Sequence, residues 1–255
     1  MIDFSGKVAL VTGGSRGIGA ATVNTIVAAG GKAIIHYGSN KAAAEKTALQ
    51  AGQSNCHLVG ADLGELGAAK DLWKEALAAF GQIDIVVNNA GVFVSAAVDS
   101  NDDHWHEVWQ QVLQVNLVAT GDLCREAINH WQAEGIGGAI VNVSSRAAFR
   151  GDAPDEWAYA ASKGGMISLT KTLARAYSSK GIYTYAVAPG FTETDMALDA
   201  FKKNPALRAS VVRDIPMGDI APAQEVANAI CFFASGLATH SSGQTIDVNG
   251  ASYVR

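Results

Sequence analysis

The stretch from Lys7 to Gly30 limits the possible folds more than any other part of the chain. Lys7-Val8-Ala9-Leu10-Val11-Thr12 is a short apolar run of the kind that forms a parallel strand buried on both faces. Gly13-Gly14-Ser15-Arg16-Gly17-Ile18-Gly19 follows at once, and Ala20 to Gly30 has the apolar spacing and terminal glycine of a helix. A phosphate approaching such a turn needs bare backbone N–H groups and a helix N-terminus aimed at it, and glycines remove the side chains that would stand in the way. The spacing is G-x-x-x-G-x-G rather than the common G-x-G-x-x-G. Phosphate binding is therefore read from context, which includes a second strand at Ala33-Ile34-Ile35-His36-Tyr37.

Beyond this unit, β and α segments alternate to the end of the chain. Further strands are expected at 57–60, 83–87, 139–143, 183–187 and 245–248, with helices between them. That pattern predicts an α/β fold with a parallel sheet covered on both faces. No Pro/Gly/Ser-rich linker, internal repeat or low-complexity tract interrupts it, and 255 residues at 49% hydrophobic content suit one domain over 1–255.

Tyr159 and Lys163 are four residues apart, so on a helix a phenol and an ammonium project from one face. A phenol titrates at about 10, and a cation held beside it favours the phenolate and brings it toward acid/base work near neutral pH. Taken alone, the same pair is also what a solvated helix face contains. The glycine turn and the serine pair Ser144-Ser145 upstream favour chemistry.

These features together resemble the short-chain dehydrogenase/reductase family over nearly the whole chain. Thr12 to Gly19 is similar to its cofactor turn, with Gly13, Ser15, Arg16, Gly17, Ile18 and Gly19 as contacts. Asp62-Leu63 resembles the adenine-side contact, and Asn88-Asn89-Ala90-Gly91 the segment after the fourth strand. Asn116, Ser145, Tyr159 and Lys163 match the catalytic tetrad, with Ser144 as the alternative serine. Pro189-Gly190-Phe191-Thr192-Glu193-Thr194 resembles the turn that closes on the nicotinamide, with Thr192 and Thr194 toward the carboxamide and diphosphate.

The resemblance implies a Rossmann-type doubly wound sheet of about seven strands in the order 3-2-1-4-5-6-7, with the ligand crevice at the strands' carboxyl ends. It also implies hydride transfer between a nicotinamide and a ketone or secondary alcohol. Ser145 would polarise the substrate oxygen and Tyr159 would move the proton. Lys163 would lower the phenol and bind the ribose, and Asn116 would hold a relay water. The nearest-looking subgroup, through Pro189 to Met196, is the 3-oxoacyl carrier-protein reductases. Sugar and polyol dehydrogenases share similar runs. A sugar epimerase or dehydratase and a non-catalytic NADP-binding sensor are the rival classes.

Ser145 and Tyr159 lie 14 positions apart, one more than in many members, across a charged loop at 146–157. Arg146 and Arg150 in it suit a carboxylate or polyol substrate, although solvated loop charges are the favoured reading. At the end of the second strand, Tyr37, Gly38, Ser39, Asn40 and Lys41 offer no carboxylate to repel a 2′-phosphate, and Arg16 can reach toward it. NADP(H) is therefore favoured over NAD(H). The segment 194–217 has helix-like pieces, Pro205 and Pro216 as breakers and no strand partner. It is read as a small lobe over the substrate, with Lys202, Lys203, Arg208 and Arg213 on its outer face.

Net charge of −5 and the lack of a basic face exclude a nucleic-acid footprint. Cys56, Cys124 and Cys231 are widely spaced and odd in number, which suits reduced, non-nucleophilic thiols in the cytoplasm. No signal-peptide or membrane-spanning run is found. His104-Trp105-His106 lacks metal spacing, so no metal is expected. Trp109, Trp131 and Tyr177 are read as core or subunit contacts. The resemblance implies a homo-oligomer, tetramer or dimer, built on the long helices around 105–130 and 158–180.

Overall fold

The structure, a computed structural model, describes residues 2–194, 197–198, 201–202 and 204–255. Seven parallel strands form the main sheet: β1 (Val8–Val11), β2 (Lys32–Tyr37), β3 (Cys56–Gly60), β4 (Ile85–Asn88), β5 (Gly138–Val143), β6 (Ile182–Pro189) and, last in the chain, β9 (Thr245–Val248). Their order is β3-β2-β1-β4-β5-β6-β9, the expected doubly wound arrangement. It reverses between β1 and β4, and at such a switch point the strand ends part to leave a crevice.

Alternate residues of each strand feed two apolar layers. Ala9, Val11, Ile35, Val87 and Val141 face one layer, completed by α1 (Gly17–Ala28), α2 (Lys41–Ala51) and α9 (Ala223–Ala234). Leu10, Ile34, Val86 and Ile140 face the other, closed by α3 (Ala68–Phe80), α5 (Ala119–Glu134) and the C-terminal part of α7 (Trp157–Tyr177). Burial on both faces explains why the strands read as continuous apolar runs rather than alternating ones. Trp131 fills the second layer completely, its Nε1 donating to Ile83 O at 2.7 Å, while Trp109 and Tyr177 are only half-buried.

Two features depart from the expected element map. Between α4 (Asp102–Leu113) and α5 the helix widens into a π-turn over Gln114–Val118, an extra residue that no periodicity argument detects. The segment 194–217 is also flanked by strands: β7 (Thr192–Glu193) pairs with β8 (Ala221–Pro222) in a separate two-stranded sheet. Pro205 does not break this segment but opens α8 (Pro205–Arg213), where a missing N–H costs nothing. Phe201, Val211, Ile215 and Ile220 give it a small apolar cluster of its own. Lys203, Asp195 and Met196 lie outside the described residues. Arg208 pairs with Asp219 at 2.9 Å on an exposed face. Among the described residues no helix is long and apolar enough to cross a membrane, and no group of three metal-ligating side chains occurs.

Candidate active site

The glycine turn is held from three sides. Asn89 Nδ2 donates to Thr12 O at 2.9 Å and Gly13 O at 3.1 Å, Thr47 Oγ1 of α2 donates to Ser15 O at 3.0 Å, and Gly13 N donates to His36 Nδ1 at 3.1 Å. Two glycines are obligatory on steric grounds. A Cβ on Gly19 would lie 2.2 Å from Gly13 O, and one on Gly17, whose φ is +54°, would lie 3.0 Å from Thr194 Cγ2. Arg16 occupies the N-cap of α1 in an extended conformation without a side-chain cap, and no acid stands in the first turn. The first N–H groups of α1 therefore have no partner within the helix, and the terminus suits a diphosphate.

These groups line a cleft of about 400 Å3 at the switch point. Of the expected cofactor residues it contains Gly13, Ser15, Arg16, Gly17, Ile18, Ser39, Asp62, Leu63, Asn89, Ala90, Gly91 and Thr194. Tyr37 stands apart from these. It does not line the cleft, because its ring packs over Gly60, where a Cβ would come within 2.9 Å of the phenol. Gly19 stands behind the turn, and Pro189, Gly190 and Thr192 lie beyond the lining, with Thr192 Oγ1 donating to Gly190 O at 3.2 Å. His36, read from the sequence only as a strand residue, lines the cleft. Burial keeps it below the ordinary histidine value, so its neutral ring accepts from Gly13 N and its Nε2 donates to Ala61 O at 3.0 Å. A histidine within an apolar strand gives no local sign of that role.

Gly91 joins the cleft to the tetrad. A Cβ there would sit 3.3 Å from Asn116 Oδ1 and 3.5 Å from Lys163 Nζ. Asn116, in the π-turn, is fully engaged: Oδ1 accepts from Val92 N at 2.8 Å, and Nδ2 donates to Val92 O at 3.0 Å and Ser162 Oγ at 3.2 Å. Its side chain clasps the loop after β4 to α7. Ser144, the alternative serine, is also occupied, donating to Lys163 O at 2.9 Å. Ser145, whose Oγ accepts from Ala147 N at 3.1 Å, is the serine that acts on the Tyr159 phenol and lowers it.

The electrostatics correct one expectation. Burial pushes the Tyr159 phenol up to about 12, with Ser145 acting in the opposite direction and Asp152 and Glu156 adding to the rise. Burial likewise brings the Lys163 ammonium down to about 8. Lys163 Nζ donates to Val143 O at 2.9 Å and lies 5.8 Å from the Tyr159 ring centre. In the free protein, then, desolvation outweighs the attraction expected between ammonium and phenolate. Arg146 is a second correction. It is not a solvated loop charge but only 6% exposed, while Arg150 is exposed. Burial also raises the thiols, Cys56 to about 11 and Cys124 and Cys231 to about 12, which leaves them unreactive.

With cleft, glycine turn and tetrad assembled, comparison with known proteins is decisive. The model of the short chain dehydrogenase family matches residues 7–205. The chain belongs to that family. It is 36% identical over 250 residues to the 3beta-hydroxysteroid dehydrogenase 1 of Eggerthella lenta, covering 97% of this chain and 94% of the relative. It is 34% identical over 254 residues to the 3-oxoacyl-(acyl-carrier-protein) reductase FabG of Salmonella typhimurium, covering 99% and 100%. Among solved structures, a 3-oxoacyl (acyl-carrier-protein) reductase from Agrobacterium tumefaciens with NADP bound superposes with a TM-score of 0.89 at 29% identity, covering 97% and 95% of the two chains. As a short-chain dehydrogenase the protein is an oxidoreductase of the alcohol/carbonyl couple that works with a nicotinamide dinucleotide.

Proposed function

We propose that this short-chain dehydrogenase reduces a ketone to a secondary alcohol, reversibly and with NADPH, using Tyr159 as general acid/base. The observation that carries the reading is the convergence of Ser145 and Lys163 on one half-buried phenol beside the glycine cleft. A bound nicotinamide dinucleotide supplies the hydride. The open N-terminus of α1 and the Gly13 to Gly19 turn hold the diphosphate, and Asp62-Leu63 border the adenine. Ser145 polarises the substrate oxygen and Tyr159 gives it a proton. Lys163 binds the ribose hydroxyls and favours the phenolate once positive charge builds nearby, while Asn116 keeps the loop after β4 against α7.

NADPH is favoured over NADH because the strip after β2 offers the cleft Gly38, Ser39 and Asn40 but no carboxylate, with Arg16 across from it. The NADP-bound structural relative supports that choice. The substrate is not inferred from the relatives, since a steroid dehydrogenase and a carrier-protein reductase match this chain almost equally well. The segment 194–217 is inferred to cover the substrate. A cytoplasmic location is inferred from the thiols, all three of which are free.

The test is NADPH oxidation against a panel of ketones, 3-oxoacyl thioesters and sugars. The Tyr159→Phe variant is expected to lose about two to four orders of magnitude in kcat while keeping its Kd for NADPH within a few-fold. Near-normal turnover of that variant overturns the assignment. Faster rates with NADH at matched concentration overturn the cofactor choice.

A further inference from the structure

Ser145 and Arg146 are consecutive, and the second is as unusual as the first is expected. Arg146 is only 6% exposed, yet among the described residues its Nη1 has no hydrogen-bond partner. A guanidinium carries five donors in a rigid fork, and folded proteins rarely leave one of them both dry and unpaired. Its surroundings hold it in place without satisfying it. Its main-chain N–H donates to Pro189 O at 2.9 Å, tying it to the end of β6, and its guanidinium carbon stands 5.2 Å from the centre of the Phe191 ring. Burial and the like charge of Arg150 both disfavour its charged form, whereas Asp152 and Asp214 favour it. Neither aspartate gives Nη1 a hydrogen bond. The group thus sits at the carboxyl ends of β5 and β6, next to Ser145 in the chain and against the Pro189 to Phe191 turn, with an unused donor.

We propose that Arg146 is a substrate-binding residue and that the substrate is a short oxo acid, or the corresponding hydroxy acid, whose carboxylate docks on its guanidinium. This rests on the carbonyl-reductase reading above and adds the substrate class. Because Arg146 adjoins Ser145, the carboxylate and the reacting carbonyl are only a few carbons apart. The carboxylate is unchanged in the reaction: the carbonyl carbon gains the hydride of the reduced cofactor, and the carbonyl oxygen gains the Tyr159 proton. An anion supplies the acceptor that Nη1 lacks and relieves the repulsion from Arg150. The stacking on Phe191 explains why the side chain is buried, but leaves the free N–H unexplained.

The experiment compares kcat/KM with NADPH for 2-oxobutyrate, acetoacetate and levulinate against their methyl esters, in the wild type and in Arg146→Gln and Arg146→Lys. The wild type is expected to prefer at least one acid over its ester by ten-fold or more. Arg146→Gln is expected to lower that acid/ester ratio about a hundred-fold, with Arg146→Lys recovering part of it. A wild type that prefers the esters, or a ratio that Arg146→Gln leaves unmoved because both rates fall together, overturns the proposal and leaves the reductase reading standing. A wild type that binds NADPH but reduces no acid, ester or other ketone overturns that reading as well.

Discussion

Tyr159, half-buried, and Lys163, buried, are displaced in opposite directions, and this makes the stability of the cofactor-free protein depend on pH in a defined way. Lys163 titrates near 8 in the fold and near 10.5 when unfolded. Below about pH 8 the fold carries a desolvated ammonium, and between 8 and 10.5 the unfolded chain binds more protons, so stability rises with pH. Tyr159, shifted from 10 to about 12, reverses the slope above pH 10. Urea denaturation across pH 7 to 10 is expected to show a rise that Lys163→Met removes, and a flat profile in the wild type would contradict the buried ammonium. The tetrad was named through the family resemblance, with spacing by itself marking only the pair Tyr159 and Lys163. Its protonation was legible in neither, because desolvation depends on what packs around a side chain. Arg146 shows the same gap: in sequence it is one more charge in a charged loop, and only the packing of Phe191 and the Pro189 carbonyl reveals it as buried.

At the scale of elements, the strand, turn and helix from β1 to α1 carry the proposed nucleotide site, and Gly19 sets how closely they approach. Gly19→Ala puts a methyl carbon 2.2 Å from Gly13 O, a backbone atom that cannot swing aside. The expected result is a loss of NADPH affinity of at least ten-fold by fluorescence titration, with the far-ultraviolet dichroism of the sheet retained. Unchanged affinity would mean that the turn does not hold the diphosphate. All seven sheet strands were readable to within a residue or two, the central ones as apolar runs because they are buried on both faces, and the edge strands β3 and β9 from fewer apolar residues. The π-turn at Gln114–Val118 and the pairing of β7 with β8 were not, because one is a hydrogen-bond slip inside a helix and the other rests on two residues at each side. His36 escaped notice for a related reason. Its role comes from Gly13 and Ala61, which lie on either side of β2 and far from it in sequence.

For the molecule as a whole, the sheet ends on an open edge at β9, which pairs only with β6 among the described strands, and the long helices α5 and α7 turn part of their length outward. The homo-oligomer expected from the family resemblance has surfaces to use there. Light scattering of the purified protein is expected to give two or four times the 26.4 kDa chain mass, and a monomer at micromolar concentration would refute it. The division of labour across the molecule is uneven. The Gly13 to Gly19 turn and the tetrad are tied to the main sheet by hydrogen bonds, whereas the described residues of 194–217 add no strand to it and contribute to a small cluster. The pairing of Thr192 with Ala221 and Glu193 with Pro222 draws the two ends of that excursion side by side. What lies between them is tied down by this pairing and by Met217 N, which donates to Gly250 O at 3.2 Å, yet none of its described residues belongs to the seven-stranded sheet, so side chains there can change while the register of the catalytic strands stays as it is.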